Sequence, residues 1–200
     1  MSDEKKQSLT AALFAGGNSE RMGADKALLE YQGKKMWQHQ LDTLQNLKAD
    51  AVVVSARKQP EWMPQEVDFV ADSINKESEA GGPLAGLRSV MRSCSTTHIL
   101  ALAIDLPKMT TEFLCELIHK AKTESGVVVE LNGFYQPLAT IYPREIYGAV
   151  CSGLMGEDKS FQKLLKKLTI AGLMEVIKIT PEDAKATLFE NWNSPEDVHP

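Results

Sequence analysis

A loop of twelve residues, Ala15-Gly16-Gly17-Asn18-Ser19-Glu20-Arg21-Met22-Gly23-Ala24-Asp25-Lys26, holds the residue types that an anion site needs. Glycines let the backbone approach a phosphate and turn its N–H groups toward it, while Arg21 and Lys26 supply positive charge for a triphosphate. Gly16-Gly17 alone would be an ordinary turn. The place of the loop, directly after the apolar run 10–15, and its two cations favour phosphate. No Gly-Lys-Ser/Thr and no GxGxxG occurs, so P-loop and dinucleotide mechanisms lose their main support. A second feature is Asp105, which ends the apolar run 98–104 and precedes Leu106-Pro107. A lone Asp there can be a turn former. Beside bound phosphates it is a ligand for Mg2+, which keeps waters and takes one or two carboxylates plus phosphate oxygens. Third comes Gly81-Gly82-Pro83-Leu84-Ala85-Gly86-Leu87, preceded by Asp72. Glycines opening a helix make room for a flat ligand, and the helix start offers free N–H groups. Fourth is the polar turn Asn191-Trp192-Asn193-Ser194-Pro195-Glu196-Asp197. No nucleophile competes with these. Cys151-Ser152-Gly153 is not GxSxG, and His39, His98, His119 and His199 lack triad context, which leaves them structural or solvated.

The elements that must carry these residues follow from periodicity. Residues 10–15 and 51–55 are short apolar, β-rich runs, and residues 67–71 and 98–104 are two more. Between them Trp37, Leu41, Leu44 and Leu47 recur at helical spacing, and residues 84–92 are helical after Pro83. Thr110 or Thr111 caps a helix bearing Phe113, Leu114, Leu117 and Ile118 on one face. Residues 127–131 and 134–142 are expected as two strands around a tight Asn132-Gly133 turn. A helix over 161–168, a last strand over 174–179 and a capped helix start at Thr180-Pro181-Glu182-Asp183 complete the chain. Alternating strands and helices predict a three-layer α/β/α, Rossmann-like fold, with a mostly parallel sheet and one antiparallel element. Ligands in such sheets bind beyond the carboxyl ends of the strands, where the unusual residues lie.

Length and composition set bounds. Two hundred residues at 43% hydrophobic fit one domain over 1–200, with residues 1–8 expected to be flexible. A formal net charge of -5 argues against a nucleic-acid partner. Cys94, Cys115 and Cys151 form no CxxC pair, so neither zinc site nor disulfide framework is indicated, and a reducing cytoplasm is the expected location. No apolar run approaches the roughly 18 residues of a membrane span, so no membrane partner is expected.

The phrase AGGNSERMGADKALL, then GPLAGL, then DLP, and finally NWNSPED, in that order, resembles the molybdenum cofactor guanylyltransferases over residues 9–197. The resemblance implies a nucleotidyltransferase fold with GTP over the loop 15–26. It implies a nucleotide site of Phe14, Ala15, Gly16, Gly17, Arg21, Gly23, Lys26, Asp72, Pro83, Leu84 and Asp105. Arg21, Lys26 and Asp105 would be catalytic, and Asp105 the metal ligand. Asn191 and Asn193, with Tyr135 and Gln136 where the family commonly carries His-Pro, would face the acceptor, the molybdopterin cofactor. Ser55-Ala56-Arg57-Lys58 stands where the family often has an asparagine for the nucleoside. The implied reaction is attack by the cofactor's terminal phosphate on the α-phosphorus of GTP, releasing pyrophosphate, with other cofactor-biosynthesis proteins as further partners. Two rival expectations remain: transfer from another nucleotide or to another phosphorylated acceptor, and a non-catalytic nucleotide-sensing module.

Overall fold

The computed structural model describes residues 7–16, 25–72, 82–156 and 159–192. It runs β1 (Leu9–Phe14), a 3-10 turn (Lys26–Leu28), β2 (Glu30–Tyr31), β3 (Lys34–Lys35), α1 (Met36–Gln45), β4 (Ala51–Ala56), β5 (Asp68–Ala71) and α2 (Gly82–Ser93). There follow β6 (His98–Ala103), α3 (Thr111–Lys120), β7 (Gly126–Leu131), β8 (Phe134–Tyr135) and β9 (Ala139–Pro143). Then come α4 (Tyr147–Met155), α5 (Phe161–Ile170) and β10 (Met174–Ile179), with 3-10 segments at Arg144–Ile146 and Ala184–Phe189.

The main sheet has the order β10-β7-β9-β6-β1-β4-β5, with β8 paired to β7. β6, β1, β4 and β5 are mutually parallel, as are β7 and β10, and β9 runs antiparallel between β6 and β7. Helices cover both faces. Ala11 and Leu13 of β1 pack with α1 and α3, whereas Ala12 and Phe14 pack with α2, α4 and α5. That alternation is the period of a strand buried on both sides, and it explains why β6, HILALA, is buried at every position. The three-layer, mostly parallel architecture matches the sequence expectation.

Some local expectations need correction. Residues 134–142 do not form one strand. Asn132 and Gly133, at φ 54° and 77°, make the expected two-residue turn, but pairing stops at Tyr135. Pro137 cannot donate to a ladder, and the chain steps across to pair again only from Ala139, as β9. The helix start expected at residues 180–183 begins later: Asp183 accepts from Lys185 N at 2.8 Å and opens only a 3-10 segment. Of the two candidate caps for α3, Thr110 is the one used, accepting from Phe113 N. The β2–β3 hairpin and α4 were not expected. Ser8, expected in a flexible lead, is fixed: its carbonyl accepts from His98 N at 2.9 Å and its hydroxyl from Thr97 N at 3.0 Å. His98 is structural, with Nε2 2.9 Å from the Lys122 carbonyl oxygen. No helix among the described residues is long and apolar enough to cross a membrane.

Candidate functional site

The parallel strands β6, β1, β4 and β5 end along one edge, so the residues that follow them meet there. Ala15 and Gly16 follow β1, Arg57 follows β4, Asp72 follows β5 and Asp105 lies just past β6. Backbone bonds hold these ends in register: Ala15 N to Ser55 O and Asp72 N to Ala56 O at 2.9 Å, and Ile104 N to Phe14 O at 3.2 Å. β1 lies in the middle, with an acid on each side.

On the β6 side, Lys26 Nζ lies 3.2 Å from Asp105 Oδ2, both side chains about a quarter exposed. The local sequence explains how the lysine arrives. Asp25 caps the 3-10 turn by accepting from Ala27 N at 3.0 Å, and its second oxygen accepts from Trp62 Nε1 at 3.1 Å. Trp62 stacks on Trp37 of α1, with centroids 5.5 Å apart. The Asp105 carbonyl in turn accepts from Trp192 N at 2.9 Å, which docks the C-terminal motif on this turn.

On the β5 side, Asp72 is half-buried and accepts from the Ser55 hydroxyl at 2.7 Å. Burial pushes its carboxyl above the usual range, offset in part by that hydrogen bond and by the charge of Arg57. Two glycines make the space. A Cβ on Gly16 would stand 3.0 Å from Asp72 Oδ2. One on Gly86 would stand 3.0 Å from both Asp72 Oδ1 and Phe14 Cε1. Gly86 therefore lets α2 press against the acid, a role its place in the sequence motif did not disclose.

The sequence-assigned residues divide accordingly. Ala15, Gly16, Lys26, Asp72 and Asp105 converge on the crevice. Phe14 and Leu84 turn their side chains into the core, leaving only main chain for a ligand, and Pro83 is exposed at the start of α2. Tyr135 and Gln136 lie beyond the carboxyl end of β7: Gln162 clamps the Tyr135 backbone from both sides, and Gln136 N donates to Val129 O at 2.8 Å. Asn191 is exposed beside buried Trp192. Gly17, Arg21, Gly23 and Asn193 lie outside the described residues. Sequence reasoning passed over Ser55 as a partner of Asp72, and also Trp62 and Gln40; each acts through a long-range contact that spacing does not encode.

A carboxylate paired with a lysine past β6, and a second carboxylate packed by glycines past β5, suit a nucleoside triphosphate with a hard divalent ion. Among the described residues no cluster of three or more His, Cys, Asp or Glu could hold a metal by itself. A single carboxylate placed like that of Asp105 is enough for an ion such as Mg2+ when phosphates and water supply the remaining ligands.

Comparison with known proteins bears on this geometry. Residues 11–176 match the MobA-like NTP transferase domain. The chain belongs to this family. A MobA-like relative from Opitutus terrae, named probable molybdenum cofactor guanylyltransferase, is 31% identical over 192 residues, covering 94% of this chain and 92% of that protein. The solved molybdopterin-guanine dinucleotide biosynthesis protein A from Archaeoglobus fulgidus superposes with a TM-score of 0.68 at 19% identity, over 94% of each chain. Rv0371C from Mycobacterium tuberculosis, solved in complex with manganese, superposes at 0.61 with 18% identity, over 87% and 88% of the chains. The MobA-like assignment makes the chain a nucleotidyltransferase by family, and the match runs from within β1 to within β10.

Proposed function

We propose that this protein transfers GMP from GTP to the terminal phosphate of the molybdopterin cofactor, releasing pyrophosphate, with Mg2+ held at Asp105. The observation that carries this reading is the Lys26–Asp105 pair at the mouth of β1 and β6, inside a MobA-like domain. The names of the relatives support the guanylyl donor and the pterin acceptor, and the manganese in the mycobacterial protein supports a divalent ion.

The chain's own groups supply alignment and charge. A phosphate monoester is largely dianionic at neutral pH, so the acceptor needs no general base. Lys26 neutralises charge that develops on the leaving pyrophosphate, and Arg21 adds a second cation from the same loop. Mg2+ at Asp105 would supply a Lewis acid that polarises phosphate oxygens. Asp72, poised by Ser55 beside Gly16, faces the nucleoside. Tyr135, Gln136 and Asn191 are assigned to the acceptor, as is Asn193 on the sequence motif alone. Incubation with molybdopterin cofactor, Mg2+ and GTP, ATP or CTP in turn, read as pyrophosphate release, tests the reading. GTP should be the preferred donor. Equal rates with all three would remove the guanylyl assignment, and release without the pterin acceptor would remove the acceptor.

A further inference from the structure

The buried residues of α1 are Met36, Gln40, Leu41, Thr43 and Leu44. Two are polar: Thr43, whose hydroxyl donates to the His39 carbonyl one turn back, and Gln40, which is fully buried at 0% exposure. A buried primary amide is costly unless both of its ends are paired. Only one is. Nε2 donates to the Leu106 carbonyl, while Oε1 has no hydrogen-bond partner among the described residues. Nor does Leu106 need the help, because its carbonyl already accepts from Met109 N at 3.1 Å. Gln40 thus leaves its own acceptor unpaired to reach a carbonyl already bonded. Local costs of this kind gather where function sets the requirement.

What Gln40 reaches is the turn that presents Asp105. Leu106 is the next residue, and Pro107 after it restricts Leu106 to extended backbone, so a hold on the Leu106 carbonyl passes back to Asp105 through a stiff step. Lys26 restrains the carboxylate and Trp192 restrains the Asp105 carbonyl; Gln40 ties the same turn to α1 from below. We propose that Gln40 is a positioning residue for Asp105, holding the turn after β6 so that the carboxylate keeps its place when an oxygen-preferring cation and phosphate arrive. The proposal rests on the reading of Asp105 as the metal ligand.

The test separates positioning from packing. Gln40→Met keeps the volume and removes every polar atom, so packing alone predicts a melting temperature at or above that of the wild type. Positioning predicts in addition that the Mg2+ concentration half-saturating a fluorescent GTP analogue, measured without turnover, rises roughly tenfold, the lower end of the loss seen when groups orienting a metal ligand are removed. In an Asp105→Asn background the same substitution should shift that midpoint no further. Gln40→Leu, read the same way, covers a Met variant that fails to fold. An unchanged Mg2+ midpoint in a folded variant, or an equal shift with and without Asp105, overturns the proposal. If Asp105→Asn itself leaves the midpoint at the wild-type value, the metal reading fails and takes the proposal with it. If Asp105→Asn shifts it and Gln40→Met does not, the proposal alone fails.

Discussion

An ammonium 3.2 Å from a carboxylate can hold that carboxylate in place and can also meet a phosphate, and the two roles of Lys26 are separable by experiment. Lys26→Ala removes a charge aimed at phosphate, so GTP should bind about 10- to 100-fold more weakly while guanosine binds as before, the scale of a lost charge-assisted hydrogen bond. Titrating both ligands checks this, and an equal loss for guanosine would contradict the placement. Asp105→Asn keeps size and hydrogen bonding but lowers ligand charge. Pyrophosphate release should fall by about 100-fold with the fold intact. At Asp72, burial raises the folded-state pKa. A carboxyl whose folded pKa exceeds its unfolded value favours the fold when protonated, and this contribution is lost as pH rises through the folded pKa. Asp72→Asn should therefore raise the melting temperature at about pH 7, and the gain should shrink toward about pH 4. A gain that grows toward acid would give the shift the opposite sign. Asp105 was legible in the sequence because it closes an apolar run, and Lys26 because it is one of two cations in a glycine-containing loop after a strand. The Ser55–Asp72 bond was not, since it joins residues whose neighbourhood exists only once β4 and β5 pair.

Elements, unlike residues, are tested where they come closest. The carboxyl-terminal half of β9 runs beside the start of β7, and Gly126 leaves room for it: a Cβ there would lie 2.1 Å from the Ile141 carbonyl oxygen, 2.7 Å from Pro143 Cδ and 2.9 Å from Met174 Sδ. A backbone carbonyl cannot turn aside, so Gly126→Ala should cost about 3 kcal/mol, read from the urea midpoint. A Cβ on Gly148, in α4, would meet nothing within 4 Å, and its helical neighbours are ordinary, so Gly148→Ala should stabilise by about 0.5–1 kcal/mol. Opposite signs from the same substitution would locate the strain in the β7–β9 junction; a mild Gly126→Ala would deny it. Sequence reading failed at the other end of β9. The Asn132-Gly133 turn led 134–142 to be read as one strand, whereas Pro137 lacks the ladder donor and the chain steps across to β6 from Ala139. α4 escaped for another reason: Val150 is its one buried residue, so it carries no stripe to detect.

At the scale of the whole molecule, the two apolar layers share their strands residue by residue. Ala11 and Leu13 face one layer while Ala12 and Phe14 face the other, so neither layer can lose its sheet without exposing the opposite face of the same strand. The alternation of strands and helices made the layering legible in the sequence, but this sharing depends on the sheet order, with β1 between β6 and β4, which no local pattern states. It follows that the chain should unfold as one cooperative unit. Natural probes stand on opposite sides. Trp37, Trp62 and Trp192 all pack with the α1 and α3 layer, whereas Cys94 packs with the α2, α4 and α5 layer. In a Cys115→Ser, Cys151→Ser background, tryptophan emission and the reactivity of Cys94 should report the same melting temperature. GTP with Mg2+ should move both together, because residues after β1, β5 and β6 converge on one crevice and saturation at about 100 times Kd adds roughly 2.7 kcal/mol to the folded state. A thiol that becomes reactive well below the tryptophan transition, or a ligand shift confined to one probe, would mean that the layers open separately and that the crevice belongs to only one of them.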